Sequence, residues 1–121
     1  MSKALVFIIE DDADISNLYL FFIQNMGLQA EAFLSGQTAF ERIQRDPPPD
    51  LIVLDLHLPH VSGAQIYDAV RQDVRCAHTR IIVASADTQS ANEFRDTADA
   101  VLVKPIEWGE FPALVMKFIV N

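Results

Sequence analysis

Five short apolar stretches punctuate the chain, starting 20 to 29 residues apart, and four of them stop on a polar residue. Ala4–Ile9 ends in Glu10-Asp11-Asp12, Leu51–Leu54 on Asp55, Arg80–Ala84 on Ser85, and Ala100–Val103 on Lys104. Continuous apolar runs of this length predict strands buried on both faces. The remaining stretch, Gln29–Phe33, alternates weakly and is the least apolar, which predicts a strand at the sheet edge. Between the strands the period changes to helical. Ile15, Leu18, Tyr19, Phe22 and Met26 recur along Asp14–Met26, with Asp12 or Asp14 at the helix start and Gly27 as its stop. Leu20, Phe21 and Ile23 widen that stripe, and we expect the domain's own core to bury them. Ser35 caps a helix carrying Ala39, Phe40 and Ile43, which Pro47-Pro48-Pro49 terminates. Pro59 and Gly63 turn the chain into a helix containing Ile66, Tyr67 and Val70. Thr88–Thr97 has only Phe94 as a large apolar residue, so its helix is expected to be short and weakly anchored. Trp108, Phe111, Val115 and Phe118 give a last helix over Glu107–Asn121, delayed or kinked by Gly109 and Pro112. Alternating strands and helices predict an α/β fold of (βα)5 type, a parallel sheet covered on both faces by right-handed crossovers. Residues 1–121 read as one domain without an internal repeat.

All strands of a parallel sheet finish at one edge, and ligands of open α/β folds bind there. That edge should gather Glu10 and Asp11 from the first strand, Asp55 from the third, Ser85 from the fourth and Lys104 from the fifth. Three crowded carboxylates repel unless a cation sits among them. An all-oxygen donor set suits Mg²⁺, or Mn²⁺, rather than zinc. A carboxylate beside such a cation can accept a phosphoryl group as an acyl phosphate. Lys104 would add positive charge for a phosphoryl oxygen, and Ser85 a short, mobile donor.

Charge and cysteine usage narrow the remaining classes. Nine basic against seventeen acidic residues give a net charge of −8, without a Lys/Arg cluster, which argues against direct nucleic-acid contact. The first apolar run is too short for a signal peptide or membrane insertion. Cys76 is the only cysteine, so no internal disulfide forms, and a reducing cytoplasm is the expected setting. We read Cys76 as an inert thiol near a loop, and His60 and His78 as loop residues. No His/Cys spacing suggests a transition-metal site.

Taken in order, Ile8-Ile9-Glu10-Asp11-Asp12, Leu54-Asp55-Leu56-His57-Leu58-Pro59-His60-Val61-Ser62-Gly63, Ser85-Ala86 and Lys104-Pro105 resemble a response-regulator receiver domain of two-component phosphorelay systems, similar to the chemotaxis regulators. The resemblance implies a flavodoxin-like, doubly wound five-stranded sheet in the order 2-1-3-4-5. It implies Asp55 as phosphoacceptor from a histidine kinase or histidine phosphotransfer protein. It further implies Mg²⁺ held by Glu10, Asp11, Asp55 and the backbone carbonyl of His57, with Lys104 and Ser85 on the phosphoryl group. Two departures stand out. The place three residues before the lysine, where receivers commonly carry an aromatic switch residue, is Val101. The interval from Ser85 to Lys104 is also about one helical turn short and lacks the usual Ala-Gly-Ala stretch, so the fourth helix is expected to be short, mobile or displaced. His57, two residues beyond Asp55, should overhang the site and could modulate attack of water on the acyl phosphate.

Three functions compete. The first is a phosphorylatable switch of protein-protein interactions that is not a dedicated enzyme and acts on a downstream protein target. The second is a receiver-fold interaction module with phosphorylation-independent output, which Val101 favours and the acidic pocket opposes. The third, a Mg²⁺-dependent phosphatase, lacks a second catalytic acid beside Asp55. Extra apolar residues on the first helix (Leu20, Phe21) and the last (Leu114, Met116, Ile119) could serve phosphodonor docking or a homodimer, although wide burial would also explain them.

Overall fold

The computed structural model describes residues 4–45 and 47–119. Its elements run β1 (Leu5–Ile9), α1 (Ala13–Asn25), β2 (Gln29–Phe33), α2 (Gly36–Arg45), β3 (Leu51–Asp55), α3 (Gly63–Gln72), β4 (Arg80–Ser85), α4 (Thr88–Asn92), β5 (Ala100–Val103) and α5 (Phe111–Ile119). A 3₁₀ turn at Val74–Cys76, absent from the sequence reading, follows α3 and buries Cys76. All strand pairs are parallel and the sheet order is β2-β1-β3-β4-β5. The weakly apolar β2 is indeed an edge. Its partner edge, β5, is only partly buried.

Strand alternation sorts the core into two layers. Val6, Ile8, Leu51, Val53 and Ile82 face Tyr19 and Ile23 of α1 and Phe111 and Val115 of α5. Phe7, Ile9, Ile52, Leu54, Ile81 and Val83 face Ala39 and Ile43 of α2 and Ile66, Tyr67 and Val70 of α3. Every residue of β3 is buried, Asp55 included. The same alternation carried to the strand ends puts Glu10, Asp55 and Lys104 on the α1/α5 side and Ser85 with Val101 on the other.

The helix boundaries follow local chemistry. Asp12 caps α1, its side chain accepting from the backbone N–H of Asp14 and Ile15. Ser35 accepts from Thr38 N–H at the start of α2. Ser62 and Gln65 form a reciprocal capping box at α3. Gly27, at φ +79°, ends the first helical segment in the left-handed region. In the tail, α5 waits until Phe111, with Pro112 inside its first turn where a missing N–H is harmless.

Two expectations are corrected. Of the three residues expected to be buried beyond the stripe, Ile23 is buried and Leu20 half-buried, but Phe21 is 59% exposed, and Leu18 of the stripe itself is 43% exposed. The buried face of α1 runs through Ser16, Tyr19 and Ile23, and residues two positions away from that row turn about 200° off it. The fourth helix is short, five residues, but it is not weakly anchored: Ala91 is fully buried, and Phe94 meets the Tyr67 ring at 5.0 Å. Tyr67 also donates its hydroxyl to Thr97 O at 2.8 Å, fastening the segment after α4 to α3.

Candidate functional site

The carboxyl ends of β1, β3, β4 and β5 bring Glu10, Asp11, Asp55, Ser85 and Lys104 together. Glu10 is 1% exposed and Asp55 5%, whereas Asp11 is exposed. One oxygen from each of the three carboxylates lies within 4.8 Å of the others. Lys104 reaches across from β5 and donates Nζ to Glu10 Oε1 at 2.7 Å, and it stands 3.6 Å from Asp55 Oδ2. The second oxygen of Glu10 accepts from Asp12 N–H, and Asp55 Oδ1 accepts from His57 N–H at 3.0 Å. Asp55 is therefore held by a backbone amide on one oxygen and faces a cation on the other.

Burial pushes the Glu10 carboxyl up to about 7; the Lys104 hydrogen bond opposes the rise and the Asp55 charge adds to it. Burial alone would lower the Lys104 ammonium, but the hydrogen bond to Glu10 and the negative charge of Asp55 outweigh it, and its pKa is raised. Lys104 thus serves the two buried carboxylates, Glu10 and Asp55, while Asp11 beside them is exposed. The donor set is all oxygen, clustered and under-neutralised, and so fits a hard divalent cation such as Mg²⁺.

The loop from Leu56 to Ser62 is pressed onto the site by two glycines. A Cβ on Gly63 would lie 2.2 Å from Asp55 O and 2.5 Å from Leu56 Cα, and one on Gly36 would lie 2.5 Å from Val61 O. Only glycine permits these approaches.

Ser85 is fully buried and is not a free rotor. Its Oγ accepts from Asp87 N–H at 3.0 Å, donates to Asp87 O at 3.1 Å and contacts His57 Nε2 at 2.9 Å. The ring of His57 thus reaches the β4 end of the site. Val101 is half-buried against the α2/α3 layer, where it offers no polar atom. Tyr19 went unnoticed as a site neighbour because its spacing marks it only as core. Its phenol is buried without a partner among the described residues, and burial, with the charges of Glu10 and Asp55 nearby, raises its pKa. Cys76 is buried, and burial raises its thiol pKa, in keeping with an inert group.

The molecule is an α/β protein with a doubly wound parallel sheet whose carboxyl edge gathers a carboxylate cluster, a lysine and a hydroxyl. The chain belongs to the response regulator receiver domain family, whose model matches residues 6–115. It is 28% identical over 122 residues to the polar-differentiation response regulator DivK of Brucella ovis, covering 98% of each chain. It is 34% identical over 116 residues to the DNA-binding dual master transcriptional regulator RpaA of Synechocystis sp., covering 91% of this chain and 46% of that protein. The chain spans 20% to 48% of the length of three curated relatives that it matches. Its fold superposes on the chemotaxis response regulator CheY4 of Vibrio cholerae with a TM-score of 0.86 at 22% identity, over 97% of this chain and 99% of that one. Membership places the chain among two-component phosphoacceptor domains and disfavours the phosphorylation-independent module. No helix among the described residues is long and apolar enough to cross a membrane.

Proposed function

We propose that Asp55 accepts a phosphoryl group from a histidine kinase or phosphotransfer protein and that the modified domain switches contacts with a downstream protein target. The observation that carries this is Asp55 itself, a buried carboxylate with Lys104 3.6 Å away and Glu10 and Asp11 clustered beside it. Burying an acid in this way without a use for it would only cost stability. Glu10, Asp11, Asp55 and the carbonyl of His57 would hold Mg²⁺. When bound, such a cation neutralises the carboxylates and attracts phosphoryl oxygens.

In the transfer, a carboxylate oxygen of Asp55 forms a bond to phosphorus as the bond from phosphorus to the donor imidazole nitrogen breaks, the electron pair leaving on that nitrogen. Lys104 exchanges part of its contact with Glu10 for a phosphoryl oxygen. Ser85 supplies a hydroxyl donor once its present bonds yield. The donor docks on the exposed side of α1. Leu18 and Phe21 are exposed there, and a cavity of about 130 Å³ lined by Ile15, Leu18, Lys104, Pro105, Ile106 and Trp108 opens beside the site. The free, reduced Cys76 fits the cytoplasm, where such donors act.

Labelling with acetyl phosphate and Mg²⁺ tests the assignment. The unaltered chain should take up one phosphoryl group and Asp55→Asn none; stoichiometric labelling of the variant would refute it.

A further inference from the structure

The contacts of Ser85 assign a role to the His57 ring. A serine hydroxyl has one hydrogen and two acceptor sites. Here Asp87 O is one acceptor for that hydrogen, and Asp87 N–H fills one acceptor site. His57 Nε2 lies 2.9 Å from the same oxygen, so the ring holds the hydroxyl together with the Asp87 turn, whichever of the two atoms donates. Ser85 Oγ is fully buried and engaged by three partners, the Asp87 N–H, the Asp87 carbonyl and the His57 ring. It cannot reach toward a group on Asp55 while all three bonds persist.

The surroundings decide which bond yields. Asp87 is two residues away and caps α4 through its side chain, so its backbone is tied into the chain that follows. His57 is an exposed residue in a loop, and its ring can swing outward without opening the core. On the same face of the sheet as Ser85, the Val101 side chain is packed apolar surface with nothing to offer a moving hydroxyl.

We propose that His57 is a latch on Ser85. In the unmodified chain its Nε2 holds the hydroxyl in the Asp87 turn. Phosphorylation of Asp55 draws the hydroxyl away and frees the ring, so the signal leaves through the β3–α3 and β4–α4 loops rather than through β5. His57 is in this sense a positioning residue that acts through Ser85. The proposal rests on the phosphoacceptor reading of Asp55.

A double-variant cycle read by the rate of acetyl-phosphate labelling with Mg²⁺ tests it. Loss of one net hydrogen bond predicts labelling roughly fivefold faster in His57→Ala. In a Ser85→Ala background the same substitution should change nothing. His57→Gln, which keeps a side-chain N–H donor, should move back toward the unaltered rate. In the unmodified protein, the Asp87 amide and His57 ring nitrogen resonances should shift when Ser85 is replaced by alanine. Equal rates in the unaltered chain and His57→Ala would overturn the latch, as would an equal His57→Ala effect in both backgrounds. A chain that takes no label in any form, while Mg²⁺ binds, would instead overturn the phosphoacceptor reading and the latch with it. Resonances indifferent to Ser85→Ala would overturn the latch alone.

Discussion

Glu10 is nearly inaccessible to water and yet belongs to a site that should carry charge. With its carboxyl raised from 4.5 to about 7, the folded chain binds a proton there that the unfolded chain releases. Stability from this group is full below pH 4.5 and is lost as pH rises through about 7, a change of at most about 3 kcal/mol. Thermal unfolding without divalent cations should therefore show a midpoint falling across that window. Glu10→Gln should flatten the slope, and Mg²⁺ should raise the midpoint more at pH 8 than at pH 5. A midpoint rising steadily from pH 5 to pH 8 would contradict the assignment. The acids and Lys104 were legible because each ends an apolar run. The three contacts of Ser85 were not, because they depend on a ring 28 residues away and on the local turn at Asp87.

Among the elements, the β3–α3 loop shows how a sequence marker can be right for an incomplete reason. Gly63 reads as a turn, but what requires glycine is the approach of its α-carbon to the Asp55 carbonyl, which no local pattern reveals. Gly63→Ala must move backbone against backbone and should cost about 3 kcal/mol, lowering the unfolding midpoint by ten degrees or so. Gly109→Ala, with open space around its α-carbon, is the matched control and should be near neutral or slightly stabilising. Similar midpoints for the two variants would remove the packing argument. The fourth helix repeats the lesson. Its shortness follows from the sparse apolar pattern, while its attachment to Tyr67 through Phe94 and Thr97 is a long-range contact that periodicity cannot report.

For the molecule as a whole, a parallel sheet with helices on both faces was legible because alternating apolar runs and helical periods leave few topologies open, whereas the strand order came only from the resemblance to receiver domains. The fate of the surplus apolar residues was not legible, because a helix stripe wider than one face does not say which of its sides meets the sheet. Their placement has a consequence for function. Trp108 stacks on Phe22 and meets Tyr19 edge-on, so the α1–α5 junction is a firm aromatic platform, while Leu18 and Phe21 remain open to solvent around it. Lys104 lines the cavity in that platform and bonds Glu10, which puts the apolar surface beside the carboxylate cluster proposed to accept the phosphoryl group. A protein donor that buries Leu18 and Phe21 gains roughly 2 kcal/mol for each, whereas a small phosphodonor gains nothing from them. Leu18→Asp with Phe21→Ser should therefore slow transfer from a phosphohistidine protein at least tenfold at sub-saturating donor. Labelling by acetyl phosphate should be unchanged. Both rates falling together would mean that the substitutions disturb the site itself, and neither falling would move the docking surface away from α1.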